Sequence, residues 1–339
     1  MQDRRTVTND SQELVSRPAK MNARLLVMLK AADGRRVAIR EMRRALRLGE
    51  AGLERDVGQL EGLGFEISRE DSHLKLLGAP DLLHPDEIRE ALGTGTIGRE
   101  VVVYDRVAST NDVAWELAGG GAAEGLVVLA EEQSRGRGRM GRRWHSPRGG
   151  LWMSIVLRPD PPAGGVTVLT TAASVAVARA IRSCPGCHAT IRWPNDILIG
   201  GRKVAGVLVE TRSAGNAQGA SILGIGVDVN CSEFPDDLKD TATAVSRCAG
   251  GPVRRVEVAR SILQNFDGFY RQVSSGEHAA IGEEWVAMSS TIGRRITIIQ
   301  NGRTYKGEVV DMDPIDGLMV RLDRGFVRNF KGEHVTVVR

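Results

Sequence analysis

The residues best suited to chemistry lie in one short stretch of alternating arginine and glycine. From Arg135 to Trp144 the sequence runs R-G-R-G-R-M-G-R-R-W, and six arginines and no acid occur between Arg135 and Arg148. Glycines let a backbone approach a ligand closely, and arginines bind phosphate or carboxylate through paired hydrogen bonds. The stretch predicts an anion-binding lid between two strands. A nucleic-acid contact of the RGG type or a solvated linker remains the alternative.

A second group of polar residues lies where a turn leads into a strand. R-W-P-N-D occupies positions 192–196, and R-K-V-A-G-V-L-V-E follows at 202–210. Lys203 opens a strand whose continuation is apolar, so its ammonium could reach a ligand at the strand end. Gly206, inside that strand, indicates close approach of a ligand or of another backbone.

Two further segments complete the set. G-I-G-V-D-V-N at 224–230 has glycines at alternate positions, which would leave one face of a strand bare for a flat ligand. It differs from G-x-G-x-x-G, so a dinucleotide-binding fold is not expected. Ser109, Thr110 and Asn111 precede a predicted helix; a hydroxyl there serves either as an N-cap or as a contact to a polar ligand.

Taken in order, these four segments resemble the catalytic domain of biotin–protein ligases of the bifunctional, repressor type. The shared motifs are S-T-N, G-R-G-R-x-G-R-x-W, W-P-N-D with R-K-x-A-G-x-L-V-E, and G-I-G-x-x-x-N. The resemblance implies that ATP and biotin, helped by Mg²⁺, form biotinyl-5′-AMP. Biotin would then pass to a lysine of a biotin carboxyl carrier protein. It also implies a homodimer in the adenylate-bound form and operator DNA as a further partner.

The resemblance also assigns roles to residues. The residues implied in catalysis are Lys203, Arg139, Arg137 and Asp196. The residues implied in biotin binding are Ser109, Thr110, Asn111, Gln133, Arg137, Gly138, Arg139, Lys203, Gly206 and Gly226, with Gly224 in the pocket wall. The residues implied in adenylate binding are Gly136, Trp144, Asn195 and Asp228. Asn195 and Asp196 would support the metal or orient the incoming lysine, and no residue is assigned as a metal ligand.

Three positions depart from the family pattern. Asp228 stands where the family usually has Asn, which adds a carboxyl near the nucleotide. Met140 replaces a polar or basic residue, and Arg192 replaces Lys while keeping its charge.

The surrounding sequence predicts an α+β chain that presents these segments. Three short helices and a hairpin within 21–79 predict a winged helix-turn-helix, after a disordered tail at 1–20. A linker is expected at 80–95. Strands and helices mix over 96–290, which would be a catalytic domain with a mixed sheet like that of class II synthetases. Short strands separated by Gly turns over 291–339 predict a small SH3-like β-barrel docked on it.

Composition limits the remaining possibilities. The first twenty residues lack the apolar core of a signal peptide, and the apolar stretch 166–181 looks too short for a membrane span, so a cytoplasmic protein without a membrane role is expected. Cys184 and Cys187 form a C-x-x-C that follows a helix, where a turn is a better interpretation than a redox or zinc site.

The charge of the third predicted helix leaves DNA binding open. Positions 50–62 contain four acids and one arginine, which would repel phosphate, whereas Arg35, Arg36, Arg40, Arg43, Arg44 and Arg47 precede it. Two alternatives to the ligase therefore remain: a ligand-sensing repressor without ligase activity, and a ligase for another acid such as lipoate.

Overall fold

The computed structural model describes residues 21–159, 165–214, 217–331 and 335–338. The predicted disordered tail, 1–20, lies outside the described residues.

The N-terminal part consists of helices and a three-stranded sheet. Its elements are α1 (Ala23–Ala31), β1 (Val37–Ala38), α2 (Ile39–Leu46), α3 (Glu50–Gly62), β2 (Glu66–Glu70) and β3 (His73–Gly78). α1 begins where Asn22 Oδ1 accepts a hydrogen bond from the Leu25 amide at 3.1 Å, which satisfies a free helix donor. The sheet order is β1-β3-β2, and the apolar faces enclose a separate cluster around Leu26, Met42 and Leu60.

The central part is built on one seven-stranded mixed sheet. Its elements are α4 (Pro85–Arg89), β4 (Val101–Val107), α5 (Thr110–Gly119), β5 (Val127–Gln133), β6 (Leu151–Leu157), α6 (Gly165–Arg182), β7 (Ala189–Arg192), β8 (Asp196–Ile199), β9 (Arg202–Ala214), β10 (Ala217–Val227), α7 (Val245–Ala249), α8 (Arg255–Ser274) and α9 (Ala279–Met288). The strand order is β4-β5-β6-β10-β9-β8-β7. β4 and β5 run parallel, and the other neighbours are antiparallel. The prediction of a mixed α+β fold is confirmed.

Several central elements escaped the sequence analysis. α4 lies inside the predicted linker, where Leu83 and Ile88 are buried in the main core. β8 takes up Asp196 directly after the turn at 193–195, so the second motif forms a hairpin with β9.

Helix α6 is the centre of the core and corrects one expectation. It is 18 residues long, so by length and composition it could cross a membrane, contrary to the sequence estimate. However, 67% of this apolar stretch is buried inside the protein, against α8, α9 and β9. α6 is therefore a core helix of the central part.

The C-terminal part is a five-stranded antiparallel sheet. Its strands are β11 (Arg295–Gln300), β12 (Arg303–Asp313), β13 (Gly317–Leu322), β14 (Val327–Phe330) and β15 (Val335–Val338), in the order β14-β13-β12-β11-β15. Asn301, Gly302 and Gly317 adopt positive φ at the predicted turns. Buried residues of this sheet, such as Val309 and Phe330, belong to the same apolar cluster as the central part.

Buried ion pairs link the N-terminal part to the central part. Glu87 of α4 is almost fully buried and binds both Lys30 of α1 and Arg254. Arg255, also buried, binds Asp81 at 2.8 Å and Glu131 at 2.6 Å. Buried charges of this kind need partners, and through Glu131 the second group of contacts reaches strand β5 of the central sheet.

Candidate active site

One pocket gathers most of the predicted site residues. It is a cavity of about 180 Å³ between the start of α5, the arginine stretch, the turn at 193–195 and the strands β6, β9 and β10. Its lining includes the predicted residues Ser109, Thr110, Asn111, Gln133, Arg137, Gly138, Arg139, Trp144, Asn195, Asp196, Lys203, Gly206, Gly224 and Gly226. Gly136 and Asp228 lie outside this lining.

The arginine stretch folds back on itself as a narrow hairpin. The Trp144 amide donates to the Gly136 carbonyl at 2.9 Å, and the Gly138 amide donates to the Arg142 carbonyl at 2.7 Å. Met140 and Gly141 form its tip with positive φ. A Cβ at Gly136 would lie 2.4 Å from Ser146 Oγ, so glycine is required where the two arms meet. The hairpin covers the pocket, as a lid would.

The side chain of Trp144 covers the glycines of the pocket floor. A Cβ at Gly226 would lie 2.7 Å from Trp144 Nε1, and one at Gly206 would lie 3.1 Å from its ring. The face expected to be bare for a ligand is thus occupied by the indole, and Nε1 is buried without a hydrogen-bond partner among the described residues. The cavity is smaller than the ~300–1,000 Å³ of typical ligand pockets. A ligand on this floor therefore requires Trp144 to move.

The six arginines do not act as one cluster. Arg148 turns away and binds Asp105, while Arg135 is exposed outside the pocket lining. Arg137 is held by Glu210 and Asp112, and Arg139 Nη1 donates to Asn195 Oδ1 at 3.2 Å. Arg142 and Arg143, which sequence reasoning left without a role, also line the pocket and are exposed.

Lys203 belongs to a group of three charges at the opposite wall. Its Nζ lies 2.5 Å from Asp196 Oδ1 and 4.8 Å from the centre of the Trp144 ring. Arg192 donates to the other oxygen of Asp196 at 2.7 Å. Burial alone would raise the pKa of Asp196, but the two cations hold it below its ordinary value. The carboxylate therefore stays charged and keeps the Lys203 ammonium at the pocket wall.

Hydrogen bonds order the polar end of the pocket. Gln133 Oε1 accepts from the Thr110 amide at 2.8 Å and from its hydroxyl at 3.0 Å, and Gln133 Nε2 donates to Ser146 Oγ at 2.9 Å. Ser109 occupies the N-cap of α5 without a side-chain capping bond. Ser109 lines the pocket, which agrees with the ligand-contact interpretation.

Sequence reasoning missed Ser154 and left Glu210 without a role. Ser154 is fully buried on β6, with Oγ 2.6 Å from Asn111 Oδ1 and 2.7 Å from Thr110 Oγ1. A single hydroxyl in an otherwise apolar strand was the available signal. Glu210, the last residue of the second motif, binds Asn111, Trp115 and Arg137.

Asp228, which the resemblance places near the nucleotide, is buried and does not line the pocket. Cys231 Sγ donates to its Oδ1 at 3.5 Å. Burial raises its pKa to about 8. A carboxyl in this place holds its proton at neutral pH and resembles the Asn that the family pattern shows.

The C-x-x-C motif forms the turn between α6 and β7. Cys184 and Cys187 are buried free thiols, and burial raises the pKa of Cys187 to about 11. Such a thiol is a poor nucleophile, so the turn interpretation is favoured over a redox site.

The region of the chain that matches a known family contains most of the pocket residues. Residues 103–230 match the model of the biotin/lipoate A/B protein ligase family. The chain is 36% identical to the bifunctional ligase/repressor BirA of Bacillus subtilis, over 80% of this chain and 85% of that protein. It is 34% identical to the biotin–[acetyl-CoA-carboxylase] ligase of Paracoccus denitrificans, over 64% and 92% of the two chains. The fold is similar to that of the biotin protein ligase from Aquifex aeolicus in complex with biotin and ATP, with a TM-score of 0.63 and 24% identity, covering 71% and 99% of the chains.

Fold and site together define a protein with a ligand pocket closed by a cationic hairpin and backed by a mixed sheet. The chain belongs to the biotin–protein ligase family, as the resemblance of its motifs predicted.

Proposed function

We propose that this protein activates biotin with ATP to biotinyl-5′-AMP and transfers biotin to a lysine of a biotin carboxyl carrier protein. The observation that carries the proposal is the juxtaposition of Lys203 and Arg139 across Asn195 and Asp196, under the arginine hairpin. The similarity to relatives named as biotin ligases supports it.

The first step brings two anions together. A carboxylate oxygen of biotin bonds to the α-phosphorus of ATP, and the bond from that phosphorus to pyrophosphate breaks. Fixed cations lower the barrier because they need no reorganisation as charge develops. Lys203, anchored by Asp196, and Arg139, anchored by Asn195, are assigned this role.

The second step needs a protected intermediate. The neutral amine of the target lysine attacks the carbonyl carbon, the bond to AMP breaks, and the amine proton is released. The hairpin is proposed to exclude water from the mixed anhydride until the lysine arrives. Ser109, Thr110 and Gln133 would bind the polar ring of biotin, and Trp144 would lie against the adenylate.

The pocket does not fit a metal held by the protein. The Asp196 carboxylate is engaged by two cations, and Asp228 is buried outside the lining with a raised pKa. Among the described residues no group of three His, Cys, Asp or Glu side chains is spaced for a metal ion. Magnesium therefore enters this proposal only as the counter-ion of substrate ATP, and Asn195 and Asp196 act as anchors.

Exchange of labelled pyrophosphate into ATP tests the activity. We expect exchange that depends on biotin and falls at least about a hundredfold in Lys203→Ala, because a fixed cation at the reacting phosphate is lost. Lys306→Ala, which removes an exposed lysine of the C-terminal sheet, is the matched control. If lipoate supports exchange and biotin does not, the substrate is lipoate. If neither acid supports exchange, a ligand-sensing repressor becomes the better proposal.

A DNA-binding role is the second candidate, supported by the N-terminal helices and by the relative named ligase/repressor. We propose a winged helix-turn-helix in which the exposed arginines of α2 contact the phosphates. Glu54 and Glu61 of α3 are both paired with Arg69 of β2, so this face offers little net positive charge. Binding to operator half-sites would use a homodimer of the adenylate-bound form.

A gel shift with the control region of the protein's own biotin genes tests this role at several salt concentrations. Arg44→Gln should weaken binding equally on all sequences and reduce the salt slope by about 0.9, since one phosphate contact is lost. Arg303→Gln, an exposed arginine of the C-terminal sheet, is the control. The absence of any shift in the presence of biotin and ATP would remove the repressor role.

We also propose that the chain divides into a winged helix-turn-helix at 21–79, a linker at 80–95, the catalytic domain at 96–290 and an SH3-like barrel at 291–339. The proposal also includes a cytoplasmic location, supported by the free thiols of Cys184, Cys187, Cys231 and Cys248.

A further inference from the structure

Glu210 joins three elements around the pocket. It lies on β9, and its Oε1 accepts from Arg137 Nε at 3.1 Å. Its Oε2 accepts from Arg137 Nη2 at 3.1 Å, from Asn111 Nδ2 at 2.8 Å and, more weakly, from Trp115 Nε1 at 3.4 Å. The paired contact to Arg137 is of the strongest type between side chains, because both groups are charged and their geometries match.

Arg137 is thereby engaged on the protein itself. Besides Glu210, its Nη1 lies 2.7 Å from Asp112 Oδ1 on α5. Three of its nitrogens thus face two carboxylates, Glu210 on β9 and Asp112 on α5. A guanidinium held in this way fastens the first arm of the hairpin to β9 and α5, and Arg139 of the same hairpin donates to the amide oxygen of Asn195.

Glu210 also sets the orientation of Asn111. Because Nδ2 donates to Glu210, Oδ1 points to Ser154 Oγ and covers Gly224, where a Cβ would lie 2.5 Å away. Ser154 contacts Thr110, Thr110 contacts Gln133, and Gln133 contacts Ser146. Ser146 Oγ lies 3.2 Å from the Trp144 carbonyl. One chain of hydrogen bonds therefore runs beneath the pocket from the first arm of the hairpin to the second.

The charge of Glu210 is stable in this setting. Burial by itself would raise the pKa of Glu210, but the hydrogen bonds from Arg137 and Asn111 hold it below its ordinary value. The ion pair with Arg137 is therefore intact at neutral pH.

We propose that Glu210 is a positioning residue that holds the arginine hairpin closed through Arg137 and orients Asn111, so that the acyl-adenylate is retained between the two half-reactions. This inference rests on the proposed ligase activity. Glu210 acts through Arg137 and the hairpin, so its loss should release ligand more than it slows the chemical step.

Two measurements on the full chain test the proposal. The first is the KM for biotin and the kcat of pyrophosphate exchange. The second is the rate at which labelled biotinyl-adenylate leaves the enzyme when it is diluted into unlabelled biotin and ATP. Glu210→Gln keeps the size of the side chain and an acceptor for Asn111, but removes the charge. We expect about a tenfold faster release and a tenfold higher KM, with a smaller change in kcat, since one charge-assisted pair is lost.

A double-mutant cycle separates positioning from general support of the strand. If Glu210 acts through Arg137, the release rate of Glu210→Gln combined with Arg137→Gln equals that of Arg137→Gln alone. Asp112→Asn, which changes a half-exposed partner of Arg137, should accelerate release in the same direction but less. Additive effects, or a fall in kcat with unchanged release, would overturn the proposal.

A failure of this inference can be distinguished from a failure of the proposed ligase activity. Absence of exchange by the unaltered protein removes the proposed function itself, whereas exchange by the unaltered protein with normal adenylate release in Arg137→Gln and Glu210→Gln removes only this inference. Should Glu210→Gln fail to fold, Arg137→Gln alone decides, and unchanged release in that variant counts against the proposal.

Discussion

Asp228 should make the stability of the central part fall as the pH rises. Its carboxyl has a pKa of about 8 in the folded protein, against 3.8 for the unperturbed group, because burial penalises the charged form. Between these values the unfolded chain has lost this proton while the folded chain keeps it. The unfolded state thus binds fewer protons, and the free energy of unfolding falls by about 1.4 kcal/mol for each pH unit. Below pH 3.8 none of this stability is lost, because both states hold the proton, and above about 8 the loss is complete.

The Asp228→Asn variant exposes this effect directly. The amide has the same shape and cannot ionise, so the stability of the variant relative to the unaltered protein should rise with pH. From pH 5 to pH 7 the gain is about 3 kcal/mol as an upper limit. Exposed Asp240→Asn, on the same loop region, should show no such trend.

Urea unfolding at several pH values, followed by tryptophan fluorescence, measures the difference. The five tryptophans lie between positions 115 and 285, so the signal reports on the central part alone. A difference between Asp228→Asn and the unaltered protein that stays constant from pH 5 to pH 8 would refute the assignment of a neutral buried carboxyl.

Three further predictions follow from burial and close approach. Gly224→Ala places a methyl group 2.5 Å from a buried amide oxygen of α5. We therefore expect the free energy of unfolding in urea to fall by about 1–3 kcal/mol. The control Gly119→Ala meets open space and should be neutral or slightly stabilising. Arg255→Met leaves buried Glu131 without its cation and should cost about 3–5 kcal/mol by the same measurement; a loss below about 1 kcal/mol would contradict the buried ion pair. Cys187, whose pKa burial raises to about 11, should react with a thiol reagent at pH 8 only as fast as the protein opens, and rapid labelling of the native protein would argue for a reactive site.

The sequence determined which segments form the pocket. Glycine alternating with arginine at 135–139, a lysine opening a strand at 203 and glycines at 224 and 226 are local patterns. Their chemistry is readable without a fold, because anion binding and close backbone approach depend on residue type and spacing. The mixed α+β fold was also predictable, because the spacing of apolar residues distinguishes helices from strands.

Only the tertiary structure decided how these side chains are used. Arg137 and Arg139 are equivalent in sequence, yet Arg137 binds two carboxylates, whereas Arg139 donates to the Asn195 amide and burial lowers its pKa. Asp228 stands in the motif but faces the interior, where burial and not its neighbours in sequence sets its charge. Partners such as Glu210 approach from strands more than seventy residues away. The electrostatic role of a side chain depends on which charges and how much water surround it, and the packing of the sheet alone fixes both.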